Sequence, residues 1–338
     1  MRRGSAFLLA ICCCTLSAGQ TTSPTDQTPI FRAESRLVLV DVVPEYESKQ
    51  LHARTLLTDL TRDDFRIFDN GKEMPINSFD AGVSHGTRPL SLWLIVQCNL
   101  GFPAEWASGF LRGKTQYLRP AFAQLEPKDV VGVAHWCDDG NAAIDLPPGR
   151  DPDAALSTID RLLNEKDVTG ENRSGELAMQ KMIEMILDNV HSASEERLPV
   201  LVILYNDHSA TYIDEADRII EDVLETSGIV FGIGNNGLPF NPHYMFSNGQ
   251  VHFLAHYYSQ QTGGQFYSTS DPKLFSAALD YILAQLHLRY TLGFKPTVID
   301  GKIHTLKVEL SKETKKRYSG AELRFRQAYV PVANPGKH

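Results

Sequence analysis

Apolar positions recur every second residue near both ends of this chain, as in β-strands. In the middle of the chain, strand-like stretches alternate with stretches whose apolar residues recur at helical spacing. Three strands are predicted in the N-terminal part: Leu37–Val43, Phe65–Phe68 and Met74–Phe79. Asn70-Gly71 lies between the last two, and this dipeptide is a strong hairpin signal. Three more strands are predicted at the C-terminal end: Arg289–Phe294, Ile303–Leu310 and Leu323–Val330. Both ends of the chain are therefore expected to be all-β.

Between these ends, strand patterns alternate with stretches whose apolar residues recur at helical spacing. Six strands are predicted there: Ser91–Gln97, Asp129–Trp136, Ala142–Leu146, Val200–Tyr205, Gly228–Gly234 and Gln265–Ser268. The first is a continuous apolar run, as expected for a strand buried on both faces of a mostly parallel sheet. The alternation predicts an α/β fold, with a doubly wound, mostly parallel six-stranded sheet. The strands at both ends are expected to pair into one flanking β-sandwich.

The N-terminus has the features of a secretory signal peptide: a positive start, an apolar run over Ala6–Leu16 and a small-residue exit at Ser17-Ala18-Gly19. The predicted organisation is a signal peptide at 1–19, a flexible tether at 20–30, a β segment at 31–89, an α/β domain at 90–287 and a second β segment at 288–332. The mature chain is expected to be secreted or periplasmic, with no transmembrane segment.

Composition allows a sizeable core, with 42% hydrophobic residues in 338. The formal net charge is −8 and becomes −10 when Arg2 and Arg3 leave with the signal peptide. This acidic balance argues against nucleic acid or an anionic membrane surface as the main partner. A single basic cluster, Lys312, Lys315, Lys316 and Arg317, is predicted to be a solvated hairpin turn.

Ligands of open α/β sheets bind beyond the carboxyl ends of the strands. The residues there are Gln97, Cys98, Asn99 and Gly101 after the first strand of the sheet, and Asn206, Asp207 and His208 after the fourth. The candidate binding rim of this domain consists of Gln97, Asn99, Gly101, Asn206 and Asp207, together with Ser174 from a later loop.

The chain resembles the bacterial secreted proteins with a von Willebrand factor A-related domain, a type first recognised in acidobacteria. The stretches that carry the resemblance are Leu60–Phe65, Asp69–Lys72, Leu94–Val96, Gln261–Gly264 and Tyr290–Phe294. The resemblance covers nearly all of the chain from Phe31 to Val332. It implies a six-stranded Rossmann-like layer with β segments on either side.

Family members with an intact metal-ion-dependent adhesion site carry Asp-x-Ser-x-Ser after the first strand, a later Thr, and an Asp after the fourth strand. Gln97, Asn99 and Gly101 stand at the first three positions here, the Thr position falls near Ser174 or Gly175, and the last matches Asn206 or Asp207. Mg²⁺ prefers charged oxygen ligands. The resemblance therefore implies a degenerate metal site, and no cofactor is expected, with weak Mg²⁺ binding as the alternative.

Cys98 and Cys137 are the two cysteines left after cleavage of the signal peptide, and they end strands that are neighbours in this fold. They form either a disulfide bond or two buried thiols. The segment after the fifth strand carries Phe240, His243, Tyr244, Met245 and Phe246. Such residues are enriched at protein interfaces. They form either an interaction loop or a cover over the edge of the core.

Two further motifs have competing interpretations. Gly232–Gly237 spells GxGxxG, but Pro239 and Pro242 prevent the immediate helix that a dinucleotide site requires. His252 and His256 are four residues apart on a predicted helix, a spacing that can bind zinc, although a packed helix face explains it as well.

Taken together, these features predict a non-catalytic module that binds an unknown exported or envelope protein through the rim, without a metal. A structural role in the cell envelope is the first alternative. The second is a hydrolase using Cys98 and His208, for which no oxyanion-hole signature is present.

Overall fold

The computed structural model describes residues 37–48, 53–82, 88–97, 115–137, 140–164, 175–193, 195–204, 210–234, 245–247, 249–269 and 271–331. The predicted signal peptide and tether lie outside these residues. The described residues from Leu37 to Pro331 belong to one compact unit. None of the helices described here has the length and apolar character needed to span a membrane.

The N-terminal part forms five strands. They are β1 (Val38–Ser48), β2 (Ala53–Leu56), β3 (Phe65–Asp69), β4 (Lys72–Met74) and β5 (Ser78–Ala81). The predicted hairpin is present: β3 pairs antiparallel with β4, and Asn70 and Gly71 both have the positive φ that this turn needs.

The middle of the chain alternates strands with helices. Its elements are β6 (Leu90–Gln97), α1 (Arg119–Phe122), β7 (Val130–Trp136), β8 (Ala142–Gly149), α2 (Pro152–Asn164), α3 (Gly175–Ser192), β9 (Leu198–Leu204), β10 (Ala210–Tyr212), α4 (Ile213–Glu225), β11 (Ile229–Gly234), β12 (Phe246–Ser247), β13 (Gln250–His252), α5 (Leu254–Thr262), β14 (Phe266–Ser268) and α6 (Pro272–His287). The C-terminal part adds β15 (Tyr290–Phe294), β16 (His304–Leu310), α7 (Lys312–Arg317), β17 (Ala321–Arg324) and β18 (Ala328–Tyr329).

Six of these strands form the central sheet in the order β14-β11-β9-β6-β7-β8. All neighbours are parallel except β7 and β8, which are antiparallel. The mixed α/β fold with a mostly parallel six-stranded sheet, predicted from the alternation, is confirmed.

Side chains of the central sheet alternate between two hydrophobic cores. On β6, Leu92, Leu94 and Val96 point into a core shared with α1, α2 and α6, whereas Trp93 and Ile95 pack against α3, α4 and α5. All five are at most 3% exposed. Burial on both faces explains why this strand is apolar throughout.

The strands from the two ends of the chain pair with one another, as predicted. β1 pairs with β15, and β3 pairs with β16, both antiparallel. The resulting sheets have the orders β17-β1-β15-β5 and β18-β16-β3-β4, and β2 pairs with β1 beside them. Val40, Leu292, Ile67 and Val308 come from both sheets and belong to one core.

Three sequence predictions about this β flank are wrong. The predicted strand Met74–Phe79 is two strands in different sheets, because Pro75 has no N–H to continue the ladder and Asn77 N donates to Gly293 O at 2.7 Å. The predicted strand Leu323–Val330 likewise divides into β17 and β18. The basic cluster at Lys312–Arg317 is a short helix rather than a hairpin turn, because the Ser311 side chain accepts a hydrogen bond from Thr314 N.

Candidate functional site

The direction of winding reverses between two adjacent strands of the central sheet. From β6 the chain moves outward through β7 and β8, then returns to the other side of β6 as β9. Val96 of β6 lies beside Leu204 of β9 in parallel register. In doubly wound folds, ligands bind outside the carboxyl ends of the strands at such a reversal. The topology therefore places the candidate site beyond Gln97 and Leu204.

A small antiparallel sheet, not predicted from the sequence, lies at this same edge. Its order is β10-β13-β12, and its strands belong to the connections that lead from β9 into α4 and from β11 into α5. Such connections run at the carboxyl edge of a parallel sheet. We call Gln97, β10, β12 and β13 together the carboxyl-edge rim.

Polar contacts fix β10 on the helices behind it. Thr211 is 5% exposed, its Oγ1 accepts a hydrogen bond from Gln180 Nε2 of α3 at 3.3 Å, and it donates to Glu215 Oε2 of α4 at 2.7 Å. Val251 of β13 pairs with Thr211 and is fully buried. The inner face of the small sheet is thus part of the core.

Two aromatic side chains of the rim are exposed instead. Tyr212 is 63% exposed and Phe246 is 52% exposed. Phe246 meets the Tyr257 ring edge-on, with 5.6 Å between ring centroids, and Tyr257 OH donates to Asp217 Oδ1 at 2.5 Å. Burial and the Asp217 carboxylate raise the pKa of Tyr257, so its hydroxyl stays protonated and the ring is held in place. Phe246 is therefore supported from behind while its other side faces solvent.

The predicted site residues are only partly within the described chain. Gln97 is half-buried at the tip of β6, beside Trp136 of β7. Phe246 lies on the rim, and Met245 next to it is buried. Asn99, Gly101, Ser174, Asn206, Asp207, Phe240, His243 and Tyr244 lie outside the described residues.

Cys137 forms a disulfide bond and is 3% exposed at the end of β7. Its N–H donates to Asn141 O at 2.8 Å, which closes the turn into β8. The other cysteines, Cys98 included, lie outside the described residues. The pairing of Cys98 with Cys137 stays a prediction.

Of the residues predicted to form a degenerate metal site, the described part of the chain contains Gln97, so the metal prediction stays a prediction. Gln97 carries a neutral amide, which adds no charge to attract a dication. Within the described part of the chain, no three His, Cys, Asp or Glu side chains are grouped to hold a metal.

The zinc interpretation of His252 and His256 is wrong in its premise. His252 belongs to strand β13, and the helix begins only at Leu254. His256 is 9% exposed and stacks on Phe266 with 4.1 Å between ring centroids. The two histidines therefore do not share a helix face.

Close packing explains the first glycine of the GxGxxG motif. A Cβ at Gly232 would lie 2.3 Å from the Phe266 ring, and Phe266 is the partner of Gly232 in the β11–β14 ladder. A glycine is needed there whether or not a cofactor binds.

Sequence reasoning missed Tyr212 and the small sheet because strands of two or three residues give no periodic signal. One signal was present: Asn248-Gly249 lies between Phe246–Ser247 and Gln250–His252, and Gly249 has φ +73°. An Asn-Gly pair between short apolar segments predicts a hairpin.

The sequence matches no protein-family model and no curated protein. Among solved structures it is similar to a von Willebrand factor type A protein from Catenulispora acidiphila, at 10% identity over 82% of this chain and 76% of that chain, with a TM-score of 0.41. A variant of the PilB minor pilin from Streptococcus sanguinis matches at 10% identity over 60% of this chain, also with a TM-score of 0.41, and the chain spans 62% of its length. BatB from Bacteroides thetaiotaomicron matches at 11% identity over 58% of this chain and 98% of that chain, with a TM-score of 0.37.

Proposed function

We propose that this protein is an exported, non-catalytic binding module with a von Willebrand factor A-like layer, and that its carboxyl-edge rim binds an exported or envelope protein without a metal. The observation that carries the proposal is the pair of exposed aromatic side chains, Tyr212 and Phe246, at the edge where the winding of the sheet reverses. The resemblance of the sequence to von Willebrand factor A-related proteins supports the same assignment.

Aromatic side chains suit a protein interface at this position. They bury a large apolar area and lose few rotamers on binding, so tyrosine is common among the residues that dominate binding energy. Both residues lie on the small sheet β10-β13-β12. This sheet is already held in place by the hydrogen bonds of Thr211 and by the packing of Val251. A prearranged surface loses little conformational entropy when a partner binds.

The side chain at the tip of β6 favours binding of the partner without a metal. Without the first carboxylate, the strand tip offers an amide, Gln97, which can donate and accept hydrogen bonds with a partner. Binding would then combine hydrogen bonds at the centre of the rim with aromatic contacts beside it.

Site-specific photo-crosslinking in the native host tests this proposal. A photoreactive phenylalanine analogue replaces Phe246 or Tyr212 in the full chain, and a matched variant carries it at Val298, a 51% exposed apolar residue after β15 in the β flank. We expect one discrete adduct from both rim positions and none from position 298, with mass spectrometry naming the partner. Adducts of equal yield at all three positions, or none at the rim, would contradict the proposal.

A further inference from the structure

A second candidate site lies at the opposite end of the central sheet. A cavity of about 1000 Å³ opens where the strands begin, and it is bordered by Ser91 and Val130 of the sheet and by Leu37, Leu39 and Tyr329 of the β flank. Its volume is that of a small-molecule site, roughly 300–1000 Å³. The cavity does not include the rim, so what it binds is independent of the proposed function.

The key residue of this cavity is Arg326, which is 7% exposed. Its Nη1 donates to Ser227 Oγ at 3.1 Å, and its Nη2 donates to Leu39 O at 2.7 Å. Its Nε has no hydrogen-bond partner. In the part of the chain that is described, no carboxylate lies within 4 Å of this guanidinium. Burial lowers the pKa of Arg326 to about 10, and the side chain still carries its charge at neutral pH.

Two more arginines lie nearby and share one buried carboxylate. Arg289 is 1% exposed, and its Nε bonds Asp41 Oδ1 at 3.0 Å. Arg88 also borders the cavity, and its Nη2 lies 3.5 Å from Asp41 Oδ2. The second acidic partner of Arg88 is Glu196, with 3.9 Å between Arg88 Nη1 and Glu196 Oε1. The Glu196 side chain is 81% exposed. Asp41 is therefore paired directly with two guanidinium groups and also attracts that of Arg326.

A buried cation without a direct ion pair is costly, because it loses hydration. Arg326 has only the more distant attraction of Asp41, the carboxylate already paired with Arg88 and Arg289. The acids that border the cavity, Glu195, Glu196 and Glu225, are all exposed. The arginines Arg88 and Arg326 are thus largely buried, whereas the acids that border the cavity face solvent. Apolar side chains, among them Leu37, Leu39 and Val130, form part of the lining. The Tyr329 ring centroid is 5.9 Å from Arg326 Cζ.

We propose that this cavity binds a small organic carboxylate with an apolar body. The carboxylate lies between Arg88 and Arg326 and supplies the missing negative charge. The apolar body packs against Leu37, Leu39 and Val130.

Isothermal titration calorimetry with 4-phenylbutyrate as the probe tests this site. The neutral 4-phenylbutan-1-ol has the same apolar body without the charge. The full mature chain is expected to bind one phenylbutyrate at least tenfold more tightly than the alcohol. Equal affinities, or no saturable heat with phenylbutyrate up to about 10 mM, would overturn the proposal.

Variants assign the binding to the cavity. Arg88→Met is expected to weaken phenylbutyrate binding at least tenfold, and Ala193→Trp, at the mouth of the cavity, is expected to abolish it without removing a charge. Arg119→Met is the matched control, because Arg119 is an exposed arginine paired with Asp153 away from the cavity. Unchanged binding by Arg88→Met and Ala193→Trp, or an equal loss with Arg119→Met, would place the ligand elsewhere and reject the site.

Discussion

Val96 of β6 and Leu204 of β9 lie side by side in parallel register, and the chain leaves the sheet at the same edge from both. Gln97 and Leu204, the last residues of these two strands, come from parts of the sequence more than a hundred residues apart. The doubly wound order brings them to one place because β6 has β7 on one side and β9 on the other.

The first prediction concerns the metal. Introducing the ligand types of von Willebrand factor A metal sites with Gln97→Asp, Asn99→Ser and Gly101→Ser is expected to create a Mg²⁺ site, because the segment then carries a carboxylate and two hydroxyls. Calorimetric titration of this triple variant should show saturable Mg²⁺ binding. The native chain, titrated in parallel, should show none at micromolar concentrations, and micromolar binding by the native chain would disprove the degenerate-site interpretation.

The second prediction concerns Cys137, which is disulfide-bonded. If Cys98 is its partner, alkylation of the unreduced mature protein leaves Cys137 unlabelled, and Cys98→Ser makes it reactive under denaturing conditions. Closing a loop of this order stabilises a fold by about 3–4 kcal/mol, so reduction should lower the free energy of unfolding by a similar amount. Labelling of Cys137 in the unreduced native protein would contradict the pairing.

The third prediction tests the packing of the central sheet. A Cβ at Gly132 would lie 2.7 Å from the ring of Trp93, its partner on β6, and both residues are within the core. Gly132→Ala is expected to destabilise the fold by about 1–3 kcal/mol. Gly149→Ala is the matched control, since its nearest neighbour would be 3.9 Å away. Urea unfolding of the two variants measures the difference, and equal midpoints would contradict the close β6–β7 contact.

The fourth prediction concerns acid stability and Asp129. Burial works against the charged carboxylate, but hydrogen bonds from His287 and from the backbone N–H of Leu90 and Glu126 outweigh it and hold the pKa of Asp129 below its usual value. A carboxyl whose pKa is depressed in the folded state contributes stability above the unfolded pKa and loses it as pH falls through the folded pKa.

The free energy of unfolding should therefore fall as pH drops below about 4, where protons begin to bind the unfolded carboxyl. Asp129→Asn should lower stability at neutral pH and flatten this acid limb. Asp153→Asn, at an exposed carboxyl, serves as the control. An acid limb that is unchanged by Asp129→Asn would show that this carboxyl is not responsible.

Much of the fold could be predicted from the sequence, because apolar patterns and turn dipeptides are strong signals. The apolar run of β6 and the Asn70-Gly71 turn both predicted what the structure contains. Prediction failed where a local feature decided the outcome. Pro75 divides one predicted strand, and Ser311 starts a helix within a basic cluster.

Less of the candidate site could be predicted from the sequence. Sequence pointed to the edge of the sheet, and Phe246 lies on it, but Tyr212 was missed because its strand has only three residues. The cavity around Arg326 was also missed. Its residues are scattered from Leu37 to Pro331, and only the packing of the β flank against the start of the sheet brings them together.

The most direct test of the rim is the affinity of the crosslinked partner, measured by calorimetry with the purified native chain in excess EDTA and in Mg²⁺. The dissociation constants in EDTA and in Mg²⁺ are predicted to agree within twofold. The double variant Tyr212→Ala, Phe246→Ala is predicted to bind at least tenfold more weakly. Its free energy of unfolding should change by no more than about 1 kcal/mol. Binding that disappears in EDTA, or that survives the loss of both aromatic side chains, would contradict a metal-free aromatic interface.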